Sequence, residues 1–121
     1  MDTHYVEVCM EMIVHLHPDI FELVKNGKKD VEVRVNDEKR QKLKIGDKLI
    51  FLKRPEEVEK IEATVIDLKY FKSFKEVSDY YSMERIHRPE LTKEEYINDM
   101  QRFYSKEEQE EYGIVCILYE K

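Results

Sequence analysis

The sequence predicts an α+β fold, a small β-barrel with appended helices. Three observations predict it. Stretches that read as strands lie at both ends of the chain and frame the helices between them. A strand candidate in the middle shifts its apolar phase by one residue, as the bulged wall of a barrel does. Three helix starts are grouped in one acidic block before the last strand, which is not the regular alternation of a βαβ sheet.

Taken in order, Val6–Leu16 alternates: Val8, Met10, Met12, Val14 and Leu16 share one face, and Glu7, Cys9, Glu11, His15 and His17 the other. Period two over this length predicts a half-buried strand. Pro18 suits the first position of a helix, and Ile20, Phe21, Leu23 and Val24 form its apolar stripe. Gly27 is placed to stop it. Val31, Val33 and Val35 alternate with Glu32, Arg34 and Asn36, a second strand with its valines inward. Asp37–Lys44 reads as a turn or short helix, and Gly46-Asp47 turns the chain again. Leu49-Ile50-Phe51-Leu52 has no polar gap and predicts a well-buried strand. In the following strand the apolar positions are Ile61, Ala63 and Val65, then Ile66, Leu68 and Tyr70, which places a bulge between the two sets. Ser73 with Glu76, Thr92 with Glu95 and Ser105 with Glu108 are capping-box pairs, with Leu91 and Tyr96 as a hydrophobic staple for the second. Gly113 leads into Ile114–Tyr119, a buried closing strand.

Composition bounds the function. With 121 residues, 41% of them hydrophobic and 11% aromatic, the chain can fill the core of one domain over residues 1–121. The net charge is −6, which argues against a protein that coats nucleic acid by bulk attraction. The charge is uneven: residues 1–24 carry no Lys or Arg, and residues 25–54 have a net charge of +6 between acidic flanks. Acidic helices beside a basic segment would repel a long polyanion, so a short or small ligand is expected. No apolar run approaches the ~20 residues of a membrane helix, and no signal-peptide pattern opens the chain. Cys9 and Cys116 lie in strand-like stretches and read as buried free thiols of a cytoplasmic protein.

Catalytic fingerprints such as G-x-G-x-x-G, a Walker loop, G-x-S-x-G or H-E-x-x-H do not occur. His15-x-His17, with Cys9 and Glu11 of the same parity, lacks a spaced second pair, so the histidines read as exposed or helix-capping and no metal or cofactor is expected. One segment stands apart, Gly27-Lys28-Lys29-Asp30-Val31-Glu32-Val33-Arg34. On a strand Glu32 and Arg34 share a face at ~7 Å spacing, with Lys29 at the strand's mouth and Lys39, Arg40 and Lys42 near in sequence. This reads as a surface patch. Arg34 can fork onto phosphate or a base edge, and Glu32 can accept from an exocyclic amine or hold a catalytic proton. A desolvated Lys29 could serve as base or nucleophile. Without a function, Glu32 and Arg34 would simply pair with charges on neighbouring strands. Residues 34–50 hold no aromatic, so a stacking platform would come from elsewhere; Phe71, Phe74, Tyr80 and Tyr81 are candidates whose spacing fits helix packing better.

Gly27, Lys29, Glu32 and Arg34 match the pattern G-x-K-x-x-E-x-R, which resembles the signature of the ASCH domain, a member of the PUA-like superfamily. The flanks agree: a helix before it, Asp37-Glu38-Lys39-Arg40 after it, then Ile45–Phe51, and later Ser73–Glu76, Tyr104-Ser105 and Tyr112–Val115. The resemblance runs from about Met10 to Tyr119 and is to stand-alone bacterial-type members. It implies a PUA-like barrel and a cleft between barrel and helices that takes RNA or a nucleotide-like ligand. In that cleft Arg34, Lys39 and Arg40 would meet phosphate while Lys29 and Glu32 read the base. One branch of the family deacetylates N4-acetylcytidine with a lysine, a threonine and a glutamate; Lys29 matches the lysine, and the threonine's position holds Glu32 here. A small hydrolase of modified nucleosides, or a ribonuclease, with Lys29 and Glu32 as catalytic groups is therefore the alternative. A protein partner docking on the acidic helices is a third reading.

Overall fold

The computed structural model describes residues 10–121. The first strand, β1 (Glu11–Leu16), carries the expected alternation, with Met12, Val14 and Leu16 buried and Glu11, Ile13 and His15 exposed. The expected strand positions from Val6 to Cys9 lie outside the described residues. Helix α1 (Pro18–Lys25) begins on its proline and buries Ile20, Phe21 and Val24. His17 is its N-cap by position, but its side chain makes no capping bond. Strands β2 (Val31–Val35) and β3 (Lys48–Lys53) follow, with a single 3₁₀ turn at Arg40–Lys42 between them.

The long strand β4 (Lys60–Phe71) pairs first with β3 and then with the last strand, β5 (Ile114–Glu120). Its register on β5 slips between Val65 and Asp67, where the apolar phase of the sequence slips. Between β4 and β5 come α2 (Phe74–Tyr80), α3 (Met83–Ile86), α4 (Lys93–Phe103) and α5 (Lys106–Tyr112). Ser73, Thr92 and Ser105 each accept the backbone N–H three residues on, and the reciprocal glutamate bond is made at Thr92 and Ser105. The four-residue α3 is too short to leave a periodic signal and has no counterpart in the sequence reading.

The five strands form one sheet in the order β1-β3-β4-β5-β2, parallel only between β1 and β3. The sheet curls into a half-barrel whose edges are β1 and β2. Its concave side holds one apolar cluster, in which Met12, Val14, Phe21, Leu49, Phe51 and Val65 meet Val115, Ile117 and Tyr119. The convex side at β2 and β5 holds a second, in which Val31, Val33, Val35 and Cys116 meet Phe74, Val77, Tyr96 and Met100 of the helices. Strand β5 therefore feeds two cores from its two faces and is buried almost throughout.

This layering corrects one expectation. The valines of β2 do not face the barrel; they face the helices. Glu32 and Arg34 sit opposite Ile117 and Val115, and directly paired antiparallel residues project to the same side. The two charged side chains thus point toward the barrel's open side, beside its core. Both faces of β2 are covered, so Lys29, Glu32 and Arg34 are not the surface patch that alternation alone suggests. Among the described residues, no helix is long and apolar enough to cross a membrane.

Candidate functional site

Where the half-barrel fails to close, between β1 and β2, lies a cleft of about 360 Å³. One wall is the barrel edge, with His15, Leu16 and His17 at β1 and Lys29, Glu32 and Arg34 at β2. The other is helical: Ile86 and His87 at the end of α3, then Tyr96, Met100 and Phe103 along α4 and Tyr104 at its C-cap. A cavity of this size is at the small end of sites for drug-sized ligands.

The local chain fixes Lys29. Gly27 adopts φ +82°, a left-handed conformation that glycine enters without strain. The chain then doubles back, so that Lys29 N–H donates to Leu23 O at 3.0 Å while Tyr119 O–H donates to Lys29 O at 2.9 Å. Held at both backbone groups, the residue is only 3% exposed. Its Nζ donates to Val31 O at 2.5 Å and lies 3.8 Å from Glu32 Oε1.

Glu32 is 7% exposed, and the same Oε1 lies 3.8 Å from Arg34 Nε. Both separations exceed hydrogen-bond length, so the contacts are coulombic only. Oε2 is buried and has no hydrogen-bond partner among the described residues. Arg34 is partly exposed at the cleft's mouth. The carboxylate thus stands between two cations without being tied to either.

The electrostatics follow from burial. Desolvation pushes the Lys29 ammonium below its ordinary pKa; Glu32 opposes that shift and Arg34 adds to it. Burial works against the Arg34 charge too, but Glu32 and the Tyr104 phenol outweigh it and hold the guanidinium above its usual value. On the helical wall, burial lowers the pKa of His87, whose Nε2 is 3.2 Å from Asp99 Oδ2. Its ring meets Tyr96 edge-on at 5.4 Å. Burial raises the Tyr96 phenol well above its usual range, and its hydroxyl, like Glu32 Oε2, is buried without a partner. Neither wall is loose: Arg85 makes two bonds to Asp30, at 2.8 and 3.2 Å, and Arg88 pairs with Asp19 of α1 at 2.9 Å.

The structure brings together Lys29, Glu32 and Arg34 of the expected set. It does not bring in Lys39 and Arg40. Lys39 lines a separate depression with Asp37, Glu38, Lys42 and Tyr112, and Arg40 turns back onto Asp37 at 3.2 Å. Among the proposed stacking residues, Phe74 and Tyr81 are buried in the helical core, Phe71 is partly buried against it, and Tyr80 is exposed on the outside. His15 is also directed elsewhere for bonding, with Nδ1 on Glu57. The helical wall went unread in the sequence. The staple partner Tyr96 and the positions Met100, Phe103 and Tyr104 are one helical stripe at spacings of four and then three or four, which the Thr92 capping box could have revealed.

The ASCH domain family model matches residues 14–121. The chain is similar to the crystal structure of hypothetical protein PH0355, with a TM-score of 0.79 and 34% identity over 92% of this chain and 98% of that one. It is also similar to the solution NMR structure of protein PF0455 from Pyrococcus furiosus, with a TM-score of 0.71 and 30% identity over 92% and 96% of the two chains. No curated protein matches it.

Proposed function

The chain belongs to the ASCH-domain family, with its PUA-like fold, and from that premise we propose that the cleft binds one nucleotide unit of RNA or a free nucleotide-like ligand. The observation that carries the reading is the unpartnered, buried Oε2 of Glu32. Leaving a buried carboxylate oxygen without a donor costs free energy, so such a group calls for a ligand that supplies an N–H. Lys29 supplies a donor beside it, and Arg34 at the mouth supplies a guanidinium that suits phosphate or a carbonyl. The apolar and aromatic helical wall gives a base its hydrophobic contact. In this reading Lys39 and Arg40 contribute at most to the approach of RNA, from outside the cleft.

The test is binding of fluorescently labelled, mixed-sequence single-stranded RNA, followed by anisotropy across a salt series. Affinity should fall as salt rises, and Arg34→Ala should weaken it at least tenfold. Salt-independent binding, or binding that Arg34→Ala leaves unchanged, would overturn the reading.

A second reading rests on the depressed pKa of Lys29. An amine with a lowered pKa is more often in its free, unprotonated form, the form that acts as base or nucleophile, and Glu32 beside it can carry a proton. This supports a hydrolase of modified nucleosides such as N4-acetylcytidine, or a ribonuclease. Turnover of N4-acetylcytidine or labelled RNA that disappears with Lys29→Ala would establish it; turnover that survives that change would place the chemistry elsewhere.

A further inference from the structure

Resting on the nucleotide reading above, we propose that Phe103, at the mouth of the cleft, is the face on which the ligand's base stacks. Helix α4 lays Tyr96, Met100 and Phe103 along one stripe of the cleft's helical wall. The first two are buried in the helical core, while Phe103, the last residue of the helix, is 71% exposed. The stripe therefore runs past the core it fills and ends in the opening. The backbone there is fixed: Tyr104 N–H donates to Met100 O at 3.1 Å and closes the last turn.

A single exposed apolar side chain needs no function of its own. Phe103 is set apart by where it stands. Among the described residues the exposed aromatic side chains are Tyr70, Tyr80 and Phe103, and of these Phe103 alone lines the cleft. The cleft's two tyrosines are already engaged. Tyr96 is buried edge-on to His87, and Tyr104 is stacked on Phe74 at 5.7 Å with 24° between the ring planes. No ring or cation among the described residues packs on Phe103.

Exposure is graded across the cleft. Lys29 and Glu32 are buried at its inner end, and Arg34 is partly exposed at the mouth. Phe103 faces water on the opposite wall. The outer pair, a guanidinium and an aromatic face, suits a ligand that carries an anionic group and a planar ring. Covering Phe103 with that ring removes apolar surface from water, and an offset ring-on-ring contact adds to the gain. Every base has such a face, so the contact favours a nucleotide over a sugar phosphate without choosing among bases.

The experiment is titration of the ¹⁵N-labelled full chain with adenosine and uridine 5′-monophosphates, with oligoadenylate, and with ribose 5-phosphate, which has no base. The nucleotides should shift the amides of residues 29–34 and 100–104. Phe103→Leu keeps apolar bulk but removes the aromatic face. It should weaken both monophosphates at least fivefold, the low end of what one stacked base contributes, and leave ribose 5-phosphate unaffected. The chain has no tryptophan, so Phe103→Trp installs a single reporter on the proposed face. That variant should bind the monophosphates at least as tightly as the wild type. Its indole emission should be quenched by them and not by ribose 5-phosphate. If only the oligomer binds, the same fivefold loss and the same quenching are required of it. Nucleotide binding that Phe103→Leu leaves within twofold, an equal loss for ribose 5-phosphate, or binding without quenching would each overturn the inference while leaving nucleotide binding intact. If neither the monophosphates nor the oligomer perturbs the wild-type cleft, the nucleotide reading falls with it.

Discussion

Asp47 and Glu32 are carboxylates of almost equal burial, 6% and 7% exposed, in two regions with opposite economies. In the turn before β3, Asp47 Oδ1 accepts Met10 N–H at 2.9 Å and Oδ2 accepts Lys44 N–H at 2.7 Å. At the β2 edge, Glu32 has two coulombic neighbours at 3.8 Å and an oxygen with none. Asp47 is satisfied by the backbone and holds a turn. Glu32 keeps a buried oxygen that nothing among the described residues satisfies. Burial alone does not separate the two carboxylates; hydrogen-bond satisfaction does.

The sharpest test of that contrast is Asp47→Ala. It leaves two backbone N–H groups without a charged acceptor, and each such bond contributes about 1.5 kcal/mol. Urea unfolding should show a loss of about 3 kcal/mol, with nucleotide binding by the folded protein unchanged. A loss below about 1 kcal/mol would break the comparison by showing that Asp47 is as dispensable as an exposed charge.

Lys29→Met combined with Glu32→Leu should behave in the opposite way. Replacing a buried pair by apolar groups is commonly neutral or stabilising, so unfolding should show no loss and a gain of up to about 2 kcal/mol, with RNA binding lost. A strong destabilisation would make the pair structural.

The two kinds of lysine give a pH test. Lys29 has a folded pKa below the ordinary 10.5, because burial disfavours its charge. The unfolded chain then holds more protons in the alkaline window below 10.5, and stability rises with pH across it. Half-buried Lys53 is shifted the other way by its hydrogen bond to Glu22. Its contribution is complete below 10.5 and is lost as pH rises through its higher folded pKa. Unfolding curves of the wild type against Lys29→Met and Lys53→Met, from pH 8 to 11, should therefore diverge in opposite senses.

Thr92→Ala removes a capping box from the helix that carries the cleft's outer wall, and should cost about 1 kcal/mol by the same urea measurement. Tyr96→Phe deletes a buried hydroxyl that bonds to nothing in the described chain, so stability should rise by about 1 kcal/mol. If it binds the ligand, affinity measured by calorimetry should still fall.

Much of the fold is legible in the sequence because its signals are local. The phase slip at Val65-Ile66 appears as a register slip on β5, and the three Ser/Thr-x-x-Glu pairs start three helices. The G-x-K-x-x-E-x-R stretch names the three groups that stand together on the cleft's inner wall. Proximity along the chain is a poor guide to the rest. Lys39 and Arg40 are five and six residues past Arg34, yet the turn at Asp37 carries them away from the cleft.

By itself, then, the sequence determines the strands, the capped helices and the chemical identity of the site's inner wall, since period, capping and residue type are properties of short segments. Tertiary structure alone decides which face of β2 meets which core. Two apolar layers compete for that strand, and alternation cannot say which one takes the valines. The helices from the 74–103 stretch take them, and Glu32 and Arg34 are turned to the barrel's open side. That placement makes Glu32 and Arg34 of an ordinary-looking strand, with Lys29 just before it, into a largely buried, half-satisfied cluster, because desolvation depends on what the rest of the chain packs around them.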